Sequence, residues 1–346
     1  MKYTANYFND LTIIQDVISN IEKLKNRKVL VTGAGGLIGS AIVDFLQNLN
    51  DTKGFDITVY VAARSQSKII DRFGERSNRN DFVFVQYDAF SSIVLDDQVD
   101  YIIHAASPAN PAAYVKEPVE TMLANFIGVK NALDFSKKVH AQRFLYISSS
   151  EVYGRKKDTE AYKENDYCFL DILNPRACYP SSKRAAETLC ASYLQEYGVD
   201  FAVIRPGHIY GGSVTPADNR ASSQFLKDAA AGKNIVMKSE GKQLRSYCYI
   251  CDGVSSVFEV LINGESGAAY NISNPSSVCT IREMAECISR EANVQLLFDL
   301  PTETEKMGYN LMENSSVDST ALEALGWKGS FDLETGIKHS LEMLES

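Results

Sequence analysis

As far as about residue 205, short apolar runs closed by glycines or polar residues alternate with longer stretches of helical periodicity. Ahead of them, Ile13, Ile14, Val17, Ile18, Ile21 and Leu24 recur at helical spacing. Residues 1–26 are therefore expected to form an amphipathic helical extension, packed on the body or on a partner. Val29 to Val31 reads as a buried strand, and a helical pattern follows through Ala41, Ile42, Phe45 and Leu46. Further strands are expected at Ile57–Ala62, Phe82–Gln86, Tyr101–His104, Arg143–Ser148 and Phe201–Arg205. Helical patterns cover about Val119–Lys138 and Ser181–Tyr197. Strands that alternate with helices predict an α/β fold with a doubly wound parallel sheet over 27–205. Its ligand should lie outside the carboxyl ends of the strands. Beyond Arg205 the alternation loosens into Gly-, Ser- and Asn-rich segments. Residues 206–346 are expected to form a smaller, mainly substrate-binding region, with about 246–275 returning to the sheet domain.

The first strand runs into Thr32-Gly-Ala-Gly-Gly-Leu-Ile-Gly-Ser40 before its helix starts. Glycines placed between a strand and a helix are the context in which such a run binds a dinucleotide rather than making an ordinary tight turn. Gly33 permits the sharp turn, Gly36 lets backbone approach a pyrophosphate, and Gly39 lets the helix pack closely. The free N–H groups of the new helix, around Leu37 and Ile38, would hold the phosphates.

Composition narrows the partners. A net charge of −9 argues against nucleic acid or an anionic membrane surface, both of which need a basic face. No apolar run reaches the roughly 18 residues of a membrane span. Asp10 and Asp16 sit where a secretory signal would carry its apolar core. Seven cysteines without framework spacing suggest a reducing, cytoplasmic compartment. Cys248-x-x-Cys251 lies in an aromatic strand-like run without a second pair, so it reads as core, and no metal site is expected.

Two further motifs carry chemistry. In Tyr179-Pro-Ser-Ser-Lys183 a spacing of four puts phenol and ammonium on one side of a helical turn. An adjacent cation favours the phenolate of a group whose ordinary pKa is near 10. Upstream, Ser148-Ser149-Ser150-Glu151-Val-Tyr-Gly154 ends the fifth strand, where alternation would put Ser149 and Glu151 on one face.

Gly33-x-x-Gly36-x-x-Gly39, the serine cluster and the Tyr–Lys pair, in that order, resemble the extended short-chain dehydrogenase/reductases of the NAD-dependent epimerase/dehydratase family. The resemblance covers about residues 27–340. It implies a Rossmann-like sheet, a nucleotide-sugar substrate (a UDP-sugar), and a homodimer through the helices near 119–138 and 181–197. By matched positions it implies that Ser149 bonds the reacting sugar oxygen and that Tyr179 is the acid or base there. Lys183 would bind the nicotinamide ribose and lower the Tyr179 pKa. Asp88, with Ala89, would meet the adenine, and His104, Ala105 and Ala106 would wall the cofactor. Asn125, inside a helix, reads as a structural hydrogen-bonder.

Within the family, Ser149 to Gly154, Pro175 to Tyr179, Lys183 to Thr188, His104 to Pro111, Asp218 to Arg220 and Gly241 to Arg245 resemble the UDP-glucuronate decarboxylases. That likeness implies oxidation at C4, loss of CO2 and re-reduction, with Glu151 aiding reprotonation. Ser107, Ser150, Arg176, Arg220 and Arg245 would contact the substrate, the arginines through carboxylate or diphosphate oxygens. Ser150 departs from the Asp of the 4,6-dehydratases, and Glu151 from the small or hydroxyl residue of the 4-epimerases. A 4-epimerase, an NADPH-dependent 4-keto sugar reductase and a non-catalytic NAD(P)-binding sensor or scaffold stay open as alternatives. Intact Ser149, Tyr179 and Lys183 argue against the last. The second strand ends Val61-Ala62-Ala63-Arg64-Ser65, without the acid that bonds a ribose 2′-OH. The family implies NAD+, while Arg64 keeps NADP+ close behind. Gly211-Gly212-Ser213 after Tyr210 replaces the usual Gly-Pro, a difference that bears on the sugar pocket.

Overall fold

The computed structural model describes residues 3–109, 111–299 and 313–345. Asn110 of the decarboxylase-like stretch and residues 300–312 of the C-terminal region lie outside them. The central strands are β1 (Lys28–Thr32), β2 (Thr58–Ala63), β3 (Phe82–Gln86), β4 (Tyr101–His104), β5 (Arg143–Ile147), β6 (Phe201–Pro206) and β10 (Ala269–Ile272). They pair in the order β10-β6-β5-β4-β1-β2-β3, parallel throughout. The apolar runs exist because both faces are covered. Val29 and Val31 of β1 join one buried cluster while Leu30 joins the other, as a strand's alternation requires. The first cluster is filled by α2 (Leu37–Lys53) and α8 (Ile250–Asn263), and the second by α5 (Pro118–Val139) and α6 (Cys178–Tyr197).

The chain winds outward from β1 to β2 and β3, then returns to β4 on the other side of β1. The reversal opens a crevice at the carboxyl ends of β1 and β4, where Thr32 pairs with His104. A second layer lies beyond these ends. Its strands β7 (His208–Tyr210), β9 (Leu244–Tyr249), β11 (Val278–Thr280) and β13 (Asn314–Ser315) all meet on β9. Both β10 and α8 come from the segment after Arg205.

The N-terminal segment differs from the single helix expected. α1 (Ala5–Ile13) gives way to two 3-10 turns, Ile14–Val17 and Ile21–Leu24, because Ile18 is extended and Asn20 is left-handed with φ 56°. The segment packs on the body. Tyr7, Leu11, Ile14, Ile18, Ile21 and Leu24 are buried in the core, and Asp44 of α2 accepts from Tyr3 and Tyr7 at 2.8 and 3.1 Å. Cys248 and Cys251 are buried where β9 meets α8. Gly211 and Gly212 are packing sites, since a Cβ there would lie 2.5 Å from Ile250 and 2.4 Å from Met343.

Candidate active site

A cavity of about 550 Å³ runs from the glycine-rich turn, past the ends of β4 and β5, to the loop after β7. At one end, Gly33 has φ +67°, and a Cβ there would lie 2.6 Å from the Ala106 amide nitrogen. A Cβ on Gly39 would lie 2.3 Å from the Gly33 carbonyl oxygen, so α2 seats directly on the turn. Gly36 begins α2 without a side-chain cap, which leaves the amides of Leu37, Ile38 and Gly39 open toward the cavity they line. This end fits a dinucleotide pyrophosphate. Arg64 is exposed on the same wall, directly after β2.

At the other end Ser149, Glu151, Tyr179 and Lys183 converge. β5 stops at Ile147, and Ser150–Tyr153 forms a 3-10 turn with Ser149 as its cap, accepting from the Glu151 amide at 3.2 Å. The expected strand alternation therefore does not set Ser149 and Glu151. The turn does, and it still leaves both, with Ser150, on the cavity wall. α6 starts at Cys178, three residues earlier than its periodicity suggested, so Tyr179 and Lys183 both lie in its first turns. Tyr179 is 6% exposed and Lys183 2%.

Burial, then the charge of Glu151, pushes the Tyr179 phenol up to about 12, while hydrogen bonds from Ser149 and Tyr114 and the charge of Arg220 pull it back. Lys183 lies one turn along α6 from this phenol. Its Nζ donates to the Ile147 carbonyl at 2.8 Å and lies 5.7 Å from the Tyr179 ring centre. Burial draws Lys183 down from 10.5 to about 7, against Glu187. Glu151 is gripped bidentately by Arg176, at 3.0 and 3.2 Å. The Arg176 guanidinium lies 4.7 Å over the ring of Tyr114, and that ring stacks on Tyr179.

Other expected residues are distributed unevenly. Ala105, Ser107 and Arg220 line the cavity. Arg220 is also engaged by Asp218 at 2.6 Å. Arg176 sits behind Glu151, and Arg245 is buried in β9, donating to the Leu244 carbonyl while sensing the charge of Glu151. His104 is buried against Thr32 at 3.0 Å, and burial pulls its pKa down to about 3. The Ala106 amide donates to the Thr32 hydroxyl oxygen at 3.3 Å. Asp88 accepts from the Phe90 amide at 2.9 Å, and Ala89 packs on Gly128 of α5; neither lines the cavity. Asn125 bridges Ser107 and Ser182 at 2.7 and 3.0 Å, joining the loop after β4 to α6. Sequence reasoning missed Tyr114, His208 and Ser315, which all line the cavity. Each lies on a short element, where neither periodicity nor a motif marks it.

Residues 29–273 match the NAD dependent epimerase/dehydratase family. The chain is 30% identical over 333 residues to UDP-glucuronic acid decarboxylase 1 of Danio rerio, covering 92% of this chain and 73% of that protein. It is 30% identical over 319 residues to UDP-glucuronic acid decarboxylase 6 of Arabidopsis thaliana, covering 90% and 87%. Among solved structures, UDP-glucose 4-epimerase of Thermotoga maritima with UDP-glucose superposes with a TM-score of 0.75 at 22% identity, over 91% of this chain and 98% of that one. A mutant UDP-glucuronic acid 4-epimerase of Bacillus cereus, in complex with UDP-4-deoxy-4-fluoro-glucuronic acid and NAD, gives 0.75 at 20% identity, over 92% and 98%.

Proposed function

Because the chain belongs to the NAD dependent epimerase/dehydratase family, we propose that it decarboxylates UDP-glucuronate to a UDP-pentose through a 4-keto intermediate. The observation that carries this reading is Glu151, held by Arg176 on the wall that also presents Ser149 and Tyr179. Identity to proteins named UDP-glucuronic acid decarboxylase across nine tenths of the chain supports it.

A bound nicotinamide dinucleotide supplies the acceptor for the C4 hydride and later returns it. The turn at Gly33, Gly36 and Gly39, the amides of Leu37 and Ile38, and Lys183 would hold it. Tyr179 would remove the proton from the sugar O4 while Ser149 donates a hydrogen bond to that oxygen. A ketone at C4 makes the uronate a β-keto acid, which loses CO2 because the electrons released delocalise onto the C4 oxygen. Ser149 and Tyr179 face the developing charge there. Glu151, oriented by Arg176, would govern the proton delivered to C5. NAD is the proposed cofactor, on family grounds; Arg64 favours NADP by its position.

One observation favours 4-epimerisation instead. Arg220, expected to meet a substrate anion, already holds Asp218. Mass spectrometry of the purified protein with UDP-glucuronate separates the two. CO2 with a UDP-pentose bears out decarboxylation, whereas an epimer without CO2 overturns it. We also propose a homodimer through α5, where Val119, Met122, Leu123 and Phe126 form an exposed apolar stripe at helical spacing. Sedimentation of the wild type against Phe126→Glu tests it, and a monomeric wild type would refute it.

A further inference from the structure

We infer that Tyr114, on the short helix Pro111–Lys116, is a positioning residue for Tyr179: its ring locks the Tyr179 ring and its hydroxyl donates to the Tyr179 oxygen. The inference rests on the reading of Tyr179 as the acid–base group. The two rings are stacked, with centres 4.4 Å apart and planes 16° apart. The stack brings Tyr114 against Tyr179, and the Tyr114 hydroxyl favours the ionised form of the Tyr179 phenol. Tyr114 is 3% exposed yet lines the cavity.

Four other groups bear on the Tyr179 phenol from the surrounding elements: Lys183 from its own helix, Glu151 from the turn after β5, Arg220 ahead of α7 (Ala221–Ala230), and Tyr146 from β5. Tyr114, neutral like Tyr146, is the one of these groups whose ring is stacked on the Tyr179 ring. Burial and the neighbouring Tyr179 and Glu151 hold its own phenol far above the ordinary range. Arg176, 4.7 Å from the Tyr114 ring centre, is attracted to its π-cloud. The stack Arg176–Tyr114–Tyr179 thus connects the Glu151 clasp to the acid–base oxygen.

The test places 3,5-difluorotyrosine at position 179 of the full chain and follows its ionisation by fluorine NMR without ligand. Fluorination lowers the phenol pKa into a range where the protein stays folded. With Tyr114→Phe, which keeps the stack and loses the donor, the midpoint should rise by about one pH unit. Tyr114→Leu should raise it similarly and also broaden the resonance as the ring loosens. An unmoved midpoint in a folded Tyr114→Phe protein overturns the inference. If these variants fail to fold, difluorotyrosine at position 114 keeps the shape and strengthens the donor. The acid limb of kcat/KM should then move to lower pH with KM unchanged, and no movement overturns the inference. Failure of the functional reading looks different: the fluorine midpoint shifts as expected, yet no sugar nucleotide is turned over.

Discussion

Replacing Lys183 by Met should cost the protein its turnover while relieving a stability penalty that depends on pH. The ammonium is fully buried, with the Ile147 carbonyl as its hydrogen-bond partner at 2.8 Å. Burial lowers its pKa from 10.5 to about 7. The sign follows from proton counting. Between pH 7 and 10.5 the unfolded chain carries the lysine proton and the folded chain has largely lost it, so wild-type stability rises with pH across that window. Each unit is about 1.4 kcal/mol, so the full penalty below pH 7 approaches roughly 5 kcal/mol. Of this, about 2 kcal/mol is recovered between pH 7 and 9. Lys183→Met has no such titration. Urea unfolding of cofactor-free wild type and variant at pH 7 and pH 9 should show the variant's advantage shrinking by about that amount. The lost hydrogen bond, worth about 1 kcal/mol, is independent of pH here and drops out of the comparison. A wild-type minus variant difference that is the same at both pH values would refute the argument.

Tyr179→Phe should lower turnover by roughly two to four decades, because only the proton-transferring group is lost. Dinucleotide affinity, read by fluorescence titration, should hardly change, and equal losses of both would contradict the role. Gly39→Ala forces a Cβ to within 2.3 Å of the Gly33 carbonyl oxygen. It should destabilise the fold by about 1–3 kcal/mol and abolish dinucleotide binding, and a normal melting curve with normal binding would show that the turn tolerates it. Arg64→Asp removes a partner for a 2′-phosphate and supplies an acceptor for a ribose hydroxyl. The ratio of NAD to NADP affinities should rise, and an unchanged ratio would show that Arg64 points away from the ribose.

Three features were legible from local pattern. Strand positions were readable because buried parallel strands must be apolar on both faces, and β3 and β4 fall on the expected residues. The glycines were readable because a missing Cβ has a steric meaning that any backbone expresses, as the contacts at Gly33 and Gly39 bear out. That Ser149, Tyr179 and Lys183 would share one cavity was readable because each sits where strand ends and a helix's first turns face the crevice.

Tertiary packing decided the remainder. Periodicity over 1–26 suggested one helix, but covering α2 and the core required a break at Asn20. The spacing of Glu151 and Arg176 says nothing about contact, and their clasp exists because the turn after β5 and the segment ahead of α6 meet at one wall. Tyr114 carried no signal, since a tyrosine four positions into a short helix is ordinary until Tyr179 is laid against it. The proton affinities of Tyr179 and Lys183 likewise follow from burial, which only the assembled layers create. Sequence determined which groups the protein possesses and the local elements that carry them. Their partners were chosen by contacts between residues far apart in the chain, which no local propensity encodes.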